Sequence, residues 1–192
     1  MGREEDSEAV SAIVPGARPK IGLTEILNII RYAKEDQRAC LVGLRGYYRD
    51  TMGKPKENDR GIYDDAIVYH APDRLFTFNA NCDPSAYRAG IAKLKAGAWK
   101  YKIGIHGLSK PKNRRYKALV QAEPVVVIRD GIGEQPPAFL GINLHRGGYR
   151  NTSSLGCQTI YPSQWDDFIS MVEDGMKRWN QDVITYVLVD LA

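Results

Sequence analysis

Cys157 and His145 are the residues of this sequence whose types and setting point to covalent chemistry. They close the two ends of one stretch, His145-Arg-Gly-Gly-Tyr-Arg-Asn-Thr-Ser-Ser-Leu-Gly-Cys157. A strand ending on His145 would be followed by a Gly-, Ser-, Thr- and Asn-rich loop that folds back to the cysteine. A thiol with its ordinary pKa of about 8.5 is a poor nucleophile at neutral pH, and an adjacent imidazole helps to make the thiolate. The pattern therefore predicts acyl transfer, with Cys157 as nucleophile and His145 as base. Gly156 permits a tight turn before the nucleophile, and amides around Ser153, Ser154, Gly156 and Cys157 are placed to form an oxyanion hole.

Each of these residue types also has a plainer reading. A cysteine is most often a small buried hydrophobe. Cys40, between Ala39 and Leu41, and Cys82 fit that description, whereas the polar, glycine-rich neighbours of Cys157 do not. His106, in Gly104-Ile-His106-Gly107, competes for the role of base. Two candidate strands separate it from Cys157, so it is assigned to the pocket lining instead. His70 precedes Ala71-Pro72 and reads as structural. The histidines with Asp64, Asp65 and Asp83 lack an HExxH or similar pair of ligands, so neither a metal nor a cofactor is expected. The basic run Lys110, Lys112, Arg114, Arg115 and Lys117 reads as solvated surface or as a docking site for an anionic envelope polymer. It has no interleaved aromatics and no recognisable motif, which argues against nucleic acid.

The elements that must position these groups indicate a β-rich α+β fold. The sequence has 192 residues, enough for one core, and its 43% hydrophobic content excludes a disordered chain. A net charge of +4 is too small to imply nucleic acid by itself. Three cysteines without CxxC spacing suggest neither a disulfide framework nor a zinc site. Residues 1–19 read as a flexible N-terminal arm and 20–192 as a single domain. A helix is expected over 24–38 with Thr24 as its cap, and a strand over 41–48. A hairpin is expected from strands 66–69 and 75–78, and a short helical segment near 86–94. Further strands are expected at 99–105, 117–120, 125–128 and 139–144. An amphipathic helix capped by Ser163 and a final strand over 183–189 follow. No run is long and apolar enough to span a membrane. The polar start lacks a secretory h-region, which predicts synthesis in the cytoplasm, with release to the cell wall on lysis or delivery.

The stretch around His145 and Ser154-Leu-Gly-Cys157-Gln-Thr159 resembles the signature of the L,D-transpeptidase (YkuD-type) catalytic domain. That signature has a histidine on a strand and a later Ser-His-Gly-Cys-x-Arg loop. The β-rich region before it and the helix and strand after it agree, and the likeness covers roughly residues 62–192. The resemblance implies an L,D-transpeptidase-like β-sandwich or barrel. It also implies a thioester mechanism on peptidoglycan stem peptides, by transpeptidation or by hydrolysis as in a phage endolysin. Leu155 stands in place of the loop histidine, and Thr159 in place of the arginine after the cysteine. Carboxylate binding would then pass to Arg146 or Arg150, because a guanidinium pairs bidentately with carboxylates. A non-catalytic wall-binding or virion-associated module on the same scaffold, and a cysteine amidase of a small substrate, are the alternatives.

Overall fold

Every residue of β1 (Cys40–Arg45) and β2 (Asp65–Ala71) is buried, and their side chains alternate between two apolar clusters. Leu41, Ile67 and Tyr69 enter one cluster, while Cys40, Val42, Leu44, Ala66 and Val68 enter the other. Strands buried on both faces need cover on both. α1 (Leu23–Tyr32) supplies it on one side with Ile26 and Ile30. α2 (Trp165–Arg178) supplies it on the other with Trp165, Phe168, Ile169, Val172 and Met176, the helical stripe expected from the sequence. The phenol of Tyr69 lies so close to the α2 backbone that a Cβ at Gly175 would collide with its oxygen.

This arrangement belongs to a strand-rich α+β fold, seen in a computed structural model that describes residues 13–35 and 38–191. The remaining barrel strands are β3 (Arg74–Asn81), β5 (Gly97–His106), β6 (Tyr116–Gln121), β9 (Leu144–Arg146), β10 (Gln158–Ile160) and β11 (Ile184–Asp190). They close in the order β1-β11-β5-β6-β9-β10-β3-β2. A small second sheet joins β4 (Ala92–Leu94), β7 (Val127–Arg129) and β8 (Gly133–Glu134). Most neighbours are antiparallel, but β1 with β11 and β9 with β10 are parallel.

Several local expectations are corrected. α1 ends at Tyr32, because Lys34 adopts φ +57°, and its N-cap is Gly22 rather than Thr24. No helix forms over 86–94. Gly90 turns at φ +75°, and Ala92 and Leu94 point inward with the period of two of a strand. Residues 139–143 are not a strand either. Gly141 adopts φ +71°, and the amides of Leu140 and Ile142 donate to the Gln121 side chain instead of a neighbouring strand. Ser163 sits in a 3-10 turn ahead of α2, whose N-cap is Gln164 without a side-chain capping bond.

The N-terminal arm expected over 1–19 lies partly outside the described residues. Its described part is tied to the barrel: Ile13 O accepts from Tyr63 N at 2.9 Å, and Pro19 O accepts from Thr77 Oγ1 at 2.7 Å. Among the described residues, no helix is long and apolar enough to cross a membrane.

Candidate active site

Four adjacent barrel strands bring the site together. His106 ends β5 and pairs in register with Tyr116, the first residue of β6. β6 pairs with β9 through Leu119 and Leu144, which places His145 beside them. The parallel pairing of β9 with β10 then sets Gln158 opposite Leu144. Cys157, one residue earlier, therefore falls against Asn143. The Asn143 amide donates to the Cys157 sulfur at 3.4 Å, and the thiol donates to Gly141 O at 3.3 Å.

The candidate base is oriented by backbone. His145 is buried, with Nδ1 2.7 Å from the carbonyl oxygen of Arg146. Nδ1–H is the donor in that bond, which leaves Nε2 as the nitrogen with a free lone pair. The Tyr116 hydroxyl lies 3.3 Å from the same Nδ1 and donates to the same carbonyl at 3.2 Å. The ring of His106 stacks on that of His145 with centroids 4.0 Å apart.

Both groups rest in their neutral forms. Burial pushes the Cys157 thiol above its ordinary pKa, and the Asn143 amide only partly offsets it. His145 is lowered to about 4, first by burial and then by His106, against the Arg146 carbonyl. A standing thiolate–imidazolium pair is not the resting state.

The loop that carries Cys157 is fastened from below. Ser154 Oγ donates to Cys157 O at 2.7 Å and accepts from Gly156 N at 3.0 Å. The Ser154 amide donates to Ser85 Oγ at 2.7 Å, and Ser85 Oγ lies 2.6 Å from Thr152 Oγ1. The amides of Ser154 and Gly156 are thus already engaged. The Ser153 amide, also expected at the oxyanion hole, donates to Asn151 Oδ1 at 2.8 Å, whereas the amides of Leu155 and Cys157 make no backbone hydrogen bond among the described residues. Gly156 adopts φ +133°, and a Cβ there would lie 2.5 Å from Ala92 O.

The segment bearing Ser85 is held in turn by a buried arginine. Arg45 ion-pairs with Asp83 and Asp190, each at 3.2 Å, and donates to Cys82 O and Leu94 O, each at 2.9 Å. Asp64 and Asp65 are buried nearby. Burial pushes Asp64 up to about 7, with Asp83 and Asp59 adding to the rise against two backbone hydrogen bonds.

Cys157 and His145 line one open cavity of about 510 Å³, with His106, Lys110, Arg114, Tyr116, Arg146, Ser153 and Leu155 also on its walls. Of the residues singled out in the sequence, Arg150 does not reach this cavity, whereas Arg146 does, its guanidinium 5.0 Å over the Tyr116 ring. His106 is brought in from a distant strand as pocket lining. A second hollow of about 590 Å³, walled by Ile105, Leu108, Phe139 and Asn143, shares His106 and Lys110 with the first.

Sequence reasoning missed Asn143, Tyr116 and Ser85, and it read Lys110 and Arg114 as solvated surface or a docking site for an anionic polymer rather than as walls of this cavity. Asn143 lies two positions before His145, on what was expected to be a plain strand. Only the parallel register of β9 and β10 reveals its contact with sulfur. Cys40 is buried, 3.8 Å from His70 Nδ1, and Cys82 is buried against the Tyr186 hydroxyl at 3.4 Å. No protein-family model, curated protein or solved structure matches the chain.

Proposed function

We propose that this protein is a cysteine-dependent acyl-transfer enzyme of L,D-transpeptidase type, acting on peptidoglycan stem peptides. The observation that carries the reading is the register of β9 and β10. It sets a thiol and a carbonyl-oriented imidazole on the walls of one open cavity. The substrate class comes from the sequence resemblance. The cationic walls of the cavity, Lys110, Arg114 and Arg146, are compatible with a peptide that bears carboxylates.

The reaction begins with the amide carbonyl of the stem peptide against the Cys157 sulfur. His145 Nε2 takes the thiol proton as the sulfur–carbon bond forms. The amide of Cys157 donates to the oxyanion of the tetrahedral intermediate. His145 returns the proton to the departing amine as the carbon–nitrogen bond breaks, leaving a thioester on Cys157. An incoming amine completes transpeptidation, and water completes hydrolysis.

Mass spectrometry of defined muropeptides and of whole sacculi, incubated with wild type and with Cys157→Ala, tests the reading. Loss of a terminal residue, cross-link cleavage or a thioester adduct is expected with wild type only. Sacculi bound but unaltered by both proteins would replace the enzyme with a wall-binding module.

A further inference from the structure

Two of the three histidines of this chain meet face to face in the cavity beside Cys157. The rings of His106 and His145 are 4.0 Å apart and 24° from parallel, and they arrive from different strands. His106 is only partly buried, and the Asn143 side-chain amide lies 3.5 Å from its Nδ1. The same Asn143 donates its backbone amide to the Cys157 sulfur. One residue thus connects the thiol with the ring that stacks on the base.

The charges facing this pair are all of one kind. The cations Lys110 and Arg114 come from the loop after β5 and Arg146 from β9, while the neutral titratable groups beside them are Tyr116 on β6 and Cys157 in the loop before β10. Among the described residues lining the cavity there is no carboxylate. Elsewhere on the surface cations are paired, as in Lys117 with Glu173 and Lys100 with Glu35. Two imidazolium rings in stacked contact repel strongly, and no anion is at hand to relieve them. Such a pair takes up its protons in two separated steps.

We propose that His106 is a positioning residue for His145: its ring holds the base by stacking and takes the first proton of the pair, sparing His145 as solution turns mildly acidic. The ordering follows from the two sites. His106 is the more exposed ring, and His145 is the deeper one, with Nδ1–H already committed to a carbonyl. Burial lowers both rings, and each has a second cause: Lys110 for His106, and His106 itself for His145. A purely packing role would be filled equally well by any flat ring. The proposal differs in requiring that the ring titrate. It rests on His145 being the base of the proposed reaction, although its primary readout needs no turnover.

The experiment is an NMR titration of the full chain labelled at histidine, from pH 4 to 8. His70, buried on β2 and not among the residues lining the cavity, serves as an internal reporter of folding. Wild type, His106→Phe and His106→Gln are compared. In wild type, one cavity ring titrates below the ordinary value of about 6.5, and His145 takes its proton only near the acid end of the range. In both variants the His145 midpoint is expected to rise by at least about half a pH unit. In a wild type that turns over, the acid limb of kcat/KM rises by the same amount in His106→Phe. An unchanged or lower His145 midpoint in both variants, with His70 signals intact, overturns the proposal. Absence of turnover in wild type would overturn the proposed function, while the His145 midpoint would still decide the role of His106.

Discussion

His145 Nδ1 lies 2.7 Å from the carbonyl oxygen of Arg146, its own neighbour along β9. The backbone therefore orients the imidazole proposed as base, a role that a buried carboxylate fills in Ser-His-Asp triads. A carbonyl carries no full charge, so nothing in this contact strongly favours a protonated ring. The low proton affinity of His145 follows from its burial, with His106 adding to it. Cys157 is accordingly a thiol in the resting protein, and in the proposed reaction its proton moves to His145 during attack.

Cys157→Ala is expected to abolish turnover, by a factor of at least about 10³, while leaving sacculus binding in place. His145→Ala should cost about 10² to 10⁴ in turnover. Rates measured on a defined muropeptide, with pull-down of sacculi alongside, check both. Residual turnover near wild type in Cys157→Ala would remove sulfur from the chemistry.

Alkylation of Cys157 by iodoacetamide should be slow at pH 7 and accelerate only above the ordinary thiol range, because burial raises its pKa. Cys40 and Cys82 are buried and should remain unmodified in the folded protein. Peptide mapping after timed labelling reads each site. Fast labelling of Cys157 at pH 6 would mean a standing thiolate.

Two buried groups should give stability opposite dependences on pH. His145 has a folded pKa of about 4, below the unfolded value of about 6.5, so the unfolded chain binds more protons between them. Stability therefore falls as pH drops through that window, by up to about 3 kcal/mol. Asp64 has a folded pKa raised to about 7, so the folded chain holds the extra proton. Its contribution is lost as pH rises from the usual carboxylate range toward 7. The two windows overlap and offset each other, so relative to wild type in thermal melts at pH 4.5, 6 and 8, His145→Gln should gain stability toward acid and Asp64→Asn should gain it toward alkali.

Gly156→Ala should destabilise the protein by roughly 1–3 kcal/mol and displace the nucleophile, since a Cβ would meet Ala92 O at 2.5 Å in a backbone conformation that suits glycine. A urea melt gives the first quantity, and turnover relative to the folded fraction gives the second. A variant of wild-type stability and rate would show that the loop can relax freely.

Arg45→Met should cost about 3–5 kcal/mol, because it leaves Asp83 buried without its cation. The double variant Arg45→Met with Asp83→Leu should recover part of that loss. Ser85→Ala removes the acceptor of the Ser154 amide. It should lower turnover more than stability, as the Cys157 loop loses its anchor. Equilibrium unfolding and kinetics on the same samples separate these outcomes.

The sequence by itself determined the strand-rich α+β character, the amphipathic face of α2, the hairpin of β2 and β3, and the candidate pair of Cys157 and His145. These were legible because period-two and period-3.6 patterns and a glycine-rich loop are local properties of the chain. The boundaries of α1 and the mistaken helix over 86–94 were not, since caps, positive φ angles and short edge strands depend on neighbours. Tertiary structure alone decided barrel closure, the parallel register that puts Asn143 against Cys157, and the stacking of His106 on His145. It also turned Lys110 and Arg114 from surface charges into cavity walls. Each of these joins residues far apart in sequence, through strand pairings whose partners no local pattern specifies.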